Sequence, residues 1–69
     1  MELKNKVWMT GNLDWFAYIG DDAVFLGRRE VPMPLEEGDR WVNEVGFVFE
    51  VRDAEIVVVE KGDPPERAW

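Results

Sequence analysis

The stretch Val24-Phe25-Leu26-Gly27-Arg28-Arg29-Glu30-Val31-Pro32-Met33-Pro34-Leu35-Glu36-Glu37-Gly38-Asp39-Arg40-Trp41 decides the reading of this chain. A short apolar strand runs into a basic pair, then a linker broken by two prolines, then an acidic Gly-Asp turn that opens a long alternating segment. Neither Pro32 nor Pro34 can donate to a sheet ladder, and each pushes its predecessor toward extended backbone. The linker therefore separates two groups of strands, with at most one helical or 3₁₀ turn at Leu35–Asp39.

Working back from the linker, Ala23–Gly27 is the returning strand of a hairpin whose tight turn is Gly20-Asp21-Asp22. Its partner, Trp15–Ile19, is rich in β-formers and apolar on both faces, which predicts a strand covered on each side. Before the Gly11-Asn12 turn, Leu3, Val7 and Met9 alternate with Lys4 and Lys6. That period of two predicts a strand with Trp8 on the polar face beside the lysines.

Working forward, the odd positions from Arg40 to Arg52 are Trp41, Asn43, Val45, Phe47, Phe49 and Val51. Only Asn43 interrupts this apolar face, so the segment reads as one long fourth strand, bent or bulged at Gly46. Asp53-Ala54 then turns the chain into Glu55–Glu60, a β-branched closing strand. Residues 1–62 read as one domain and 63–69 as a loose tail. The expected fold is all-β, a small five-stranded antiparallel barrel of OB type, with an SH3-like barrel as the alternative.

Composition narrows the function. The 69 residues contain no cysteine and no histidine. That removes disulfide staples, thiolate zinc sites and the commonest general base. No nucleophile–base pair can be drawn from the remaining residue types, so the chain is not expected to be an enzyme, and no cofactor or metal is expected. Asp21-Asp22 and Glu36-Glu37-Asp39 lack the spacing of a calcium loop. Without a membrane-length apolar run or a signal-peptide pattern, a cytoplasmic protein is expected.

The net charge of −7 is unevenly placed. Four acids balance four bases through Arg29, whereas eleven acids face only Arg40, Arg52, Lys61 and Arg67 from Glu30 onward. The first half is thus neutral and the second strongly acidic, and a surplus of carboxylates favours solubility.

With its strands in place, the chain resembles the S1-type OB domains, and more closely the divergent S1-like modules of some bacterial RNA-binding regulators. Asp14–Gly20 is similar to that family's second strand, Val24–Leu26 with Arg28–Pro32 to its third strand and exit, and Leu35–Trp41 with Val45–Val51 to the approach to strand four. Asp14 stands where glycine is usual, Ala17 where valine is common, and Arg28-Arg29 where a histidine often follows the third strand.

The resemblance implies that single-stranded RNA or DNA lies across strands two and three. Phe16 and Phe25 would then stack on bases and Arg28 and Arg29 meet phosphates, with Trp8, Trp15 and Tyr18 extending the platform. A second reading comes from charge. Here Glu36, Glu37 and Asp39 belong to an acidic face that docks a basic protein, as an adapter, a subunit or an inhibitor imitating nucleic acid. Mutation of the rings or arginines separates the first reading, and charge reversal of the acids the second.

Overall fold

A computed structural model describes residues 1–61. The fold is all-β, with six strands: β1 (Val7–Met9), β2 (Trp15–Ile19), β3 (Asp22–Gly27), β4 (Arg40–Val42), β5 (Val48–Arg52) and β6 (Glu55–Glu60). They form two three-stranded antiparallel meanders, ordered β1-β2-β3 and β4-β5-β6. The expected tail at 63–69 lies outside the described residues.

Six strands stand where five were expected, and no backbone ladder closes the two sheets into a barrel among the described residues. The extra strand has a physical origin at Asn43. Its Oδ1 accepts the backbone N–H of Val45 at 3.0 Å and of Phe47 at 2.9 Å. The Asn43 N–H in turn donates to Phe47 O at 3.0 Å, and Gly46 adopts φ 95°. The expected long strand is therefore folded back on itself as the β4–β5 hairpin. Its register pairs Trp41 with Phe49 and Val42 with Val48.

Ala17, Leu26, Val31, Leu35, Trp41, Phe49, Val51 and Ile56 form one buried cluster between the sheets. Val31 and Leu35 come from the linker, so the proline-broken segment is a lid on the core as well as a connection. Trp41 stacks on Phe49 with ring centroids 5.5 Å apart. In a domain this small, such aromatic burial supplies much of the driving force.

Side chains stitch the sheets together where a barrel would have ladders. On one seam Trp41 Nε1 donates to Leu26 O at 2.9 Å, and Asn43 Nδ2 donates to Phe25 O at 2.7 Å. On the other, Asn5 Nδ2 donates to Tyr18 O at 2.9 Å and Ile56 O at 3.3 Å, while its Oδ1 accepts Ile56 N–H at 2.8 Å. Lys4 N–H also reaches Ala54 O at 2.8 Å. Lys4 and Asn5, expected within the first strand, serve instead as this second seam, while Lys6 O accepts Tyr18 N–H beside β1.

Each meander carries a register shift, at Trp15/Phe16 against β3 and at Val48/Phe49 against β6. The extra residues are Leu26 and Val59, both on outer strands, where bulges commonly blunt a sheet edge.

Candidate nucleic-acid interface

The pairing of β1, β2 and β3 places Trp8 opposite Phe16, and Phe16 opposite Phe25. Side chains alternate across a sheet, so these three rings and Tyr18 share one face while Val7, Ala17 and Val24 take the other. The second set packs on or within the core, and none of the four rings belongs to it. The row lies on the outside of the sheet. Trp8 and Phe16 stack at 5.9 Å with 14° between planes. Phe16 and Phe25 follow at 5.6 Å, and Tyr18 tilts against Trp8 at 5.0 Å. Tyr18 is 45% exposed, and Trp8, Phe16 and Phe25 are half-buried.

Lys6, Trp8 and Tyr18 line an open groove of about 280 Å³ at one end of the row. Alternation with the lysines made this outward placement of Trp8 legible in the sequence. Trp15 does not join the platform; it packs against the core from the other side of the bulge. The expectation that β2 is covered on both faces fails for the same reason, since the second sheet covers only one face.

The two arginines differ. Arg28 Nε donates to Asp14 Oδ1 at 2.7 Å. This hydrogen bond, and then the charge of Asp14, hold the guanidinium more firmly protonated, with Glu44 and Glu30 adding to the effect. Asp14, the residue standing where the resembled family has glycine, is thus the partner of the expected phosphate ligand. Arg29 is exposed.

Beside Arg28, the Glu30 side chain folds over Gly27, where a Cβ would lie 2.6 Å from Glu30 Oε2 and φ is 130°. That oxygen is buried and has no hydrogen-bond donor among the described residues. Glu44 is the group that can supply a proton, and hydrogen bonding to Glu30, followed by its own desolvation, raises the Glu44 pKa. For Glu30, burial pushes the pKa up, but bonds from Glu44 and from the Glu30 and Arg28 backbone leave it lowered.

The acidic trio has structural partners. Glu37 accepts Asp53 N–H at 2.7 Å and Ala54 N–H at 3.0 Å. It thereby caps a two-residue β5–β6 turn in which both residues have positive φ, 55° and 62°, as type I′ requires. Asp39 Oδ2 accepts Glu36 N–H at 2.8 Å, closing the linker turn. Glu36 itself is exposed.

The bonds from Ala54 and then Asp53 hold the Glu37 carboxyl below its ordinary range. A depressed carboxylate contributes stability that is present above its unfolded pKa and lost as pH falls through the folded one. Glu37→Gln is therefore expected to flatten the acid limb of the stability curve and leave neutral-pH stability slightly reduced. Urea melts from pH 7 to 3 check this; an acid limb as steep as wild type refutes the cap.

No group of three or more potential metal-binding side chains occurs among the described residues, and no helix there is long and apolar enough to cross a membrane. Comparison with protein-family models, curated proteins and solved structures finds no match.

Proposed function

We propose that this domain binds single-stranded nucleic acid weakly across the outer face of β1–β3, and that it is a divergent S1-like module. One observation carries the reading: Trp8, Phe16, Phe25 and Tyr18 form a continuous aromatic row outside the core. Bases stack on such rows without regard to sequence, because each base offers a π-face. The order of parts along the chain supports the S1-like assignment, with side-chain seams standing where an OB barrel has ladders. RNA is the expected ligand by that resemblance. Lys6 at the Trp8 end and Arg29 beyond β3 are the cations available to phosphates, since Arg28 is engaged by Asp14.

Each base–ring contact contributes about 1–3 kcal/mol. Trp8→Ala and Phe16→Ala are each expected to weaken oligonucleotide binding about 5- to 100-fold while the fold survives. Asp14→Asn, which releases Arg28, is expected to strengthen binding and steepen its salt dependence. Anisotropy of fluorescein-labelled oligo(U) and oligo(dT), at two salt concentrations, measures all three. Absence of salt-sensitive binding to either oligonucleotide refutes the proposal. The acidic-partner reading has less support at its expected residues, because backbone N–H groups occupy Glu37 and Asp39.

A further inference from the structure

Beyond the ring row lies a second depression, an open groove of about 260 Å³ between β3 and the β4–β5 turn. Ala23, Val24, Phe25, Asn43, Val45 and Phe47 line it. Its polar side chain is largely engaged: the Asn43 Nδ2 donates to Phe25 O, and Oδ1 accepts Val45 N–H and Phe47 N–H. The groove therefore offers chiefly apolar surface, and Val45 stands 38% exposed in its wall. It falls below the roughly 300–1,000 Å³ of small-molecule sites, a size suited to a single side chain.

The backbone beside it is open. Tyr18 N–H donates to Lys6 O and Tyr18 O accepts Asn5 Nδ2, both on the β1 side of β2. Ala23, paired across from Tyr18, must then direct its own N–H and C=O away from β2. Farther along the same edge Asn43 takes Phe25 O and Trp41 takes Leu26 O, whereas nothing among the described residues reaches Ala23.

Charge identifies the occupant. Exposed Asp21 and Asp22 immediately precede Ala23, and exposed Glu44 sits between Asn43 and Val45. Arg28, whose charge reaches Glu44, is paired with Asp14. A phosphate backbone is repelled from such a rim, and a basic chain is attracted to it. The geometry points to a protein-docking site that adjoins the ring row at Phe25: an extended basic segment of a partner adds along β3 at Ala23. It sets one apolar side chain in the groove between flanking lysines or arginines. Strand addition of this kind draws affinity from main-chain bonds and specificity from the alternate side chain.

The test uses the full chain and a fluorescein-labelled peptide, Lys-Arg-Val-Leu-Val-Arg-Lys, followed by anisotropy. Salt-sensitive binding is expected, at least fivefold weaker for Val45→Ser and for the peptide with its four cations changed to glutamine. Ala23→Pro, which removes the outward N–H and spares the β2 ladder, is expected to weaken it similarly, and Trp8→Ala to leave it unchanged. Should Ala23→Pro unfold by circular dichroism, the exposed Val45→Ser still decides. No binding, equal binding of the neutral peptide, or indifference to Val45→Ser would each overturn the inference. Loss of oligonucleotide binding alone would sink only the function proposed for the rings.

Discussion

Trp41→Ala is expected to leave the domain largely unfolded at 25 °C. The ring is buried, stacked on Phe49, and its Nε1 holds Leu26 O across the seam. Truncating a buried tryptophan costs about 3–5 kcal/mol, and the orphaned carbonyl adds to that. A domain of this length has a total stability of roughly 3–10 kcal/mol, at 0.05–0.15 kcal/mol per residue, so the loss is of the same order as the whole. Trp41→Phe separates the two contributions, since it keeps a ring and removes the donor. Its expected cost is smaller, about 1–3 kcal/mol, as for one unsatisfied buried group. Urea melts followed by far-ultraviolet circular dichroism report both. A Trp41→Ala midpoint within error of wild type would mean that the ring does not bridge the sheets.

The second large effect is expected at Asn43, which is only 7% exposed. Leucine matches its size and cannot reproduce any of its three hydrogen bonds. Asn43→Leu leaves Phe25 O, Val45 N–H and Phe47 N–H to find water or go unpaired, at about 1–3 kcal/mol for each that stays buried. With the turn partly solvated, a total near 2–4 kcal/mol is expected. The loss has a local signature. The Val45 and Phe47 amides should lose protection from hydrogen exchange before those of β2 do. Unchanged protection at both would remove Asn43 from its place as organiser of the hairpin.

Asn43 also marks the limit of what the chain discloses on inspection. Its neighbours Trp41, Val45, Phe47 and Phe49 keep a period of two through the reversal, so alternation alone cannot distinguish one long strand from two joined by a turn. Only the bonds made by the amide distinguish them, and those bonds close over distances that a pattern does not encode. The β2–β3 hairpin and Glu55–Glu60 were legible because turn residues bracket clean β-forming runs. Barrel closure was not, since it depends on which edges meet, and here side chains of Asn5, Trp41 and Asn43 meet the edges instead.

At the site, the lysines beside Trp8 betrayed an outward ring. Phe16 and Tyr18 gave no such sign within a run apolar on both faces. The pairing of Arg28 joins residues 14 apart in sequence and turns on a carboxylate that the turn at Gly11-Asn12 delivers. The groove at Val45 and Phe47 is not legible, because alternation places both residues on the same apolar face as Trp41 and Phe49.

Both meanders are built from uninterrupted chain, and only the Arg28–Asp39 connection passes between them. An N-terminal half from one molecule can therefore meet the C-terminal half of another through the same asparagine and tryptophan bonds. Such an exchanged pair would preserve every seam and alter only the path of the prolines. Concentrated samples are accordingly a natural place to find intertwined twofold assemblies, and separately expressed halves a natural starting point for complementation.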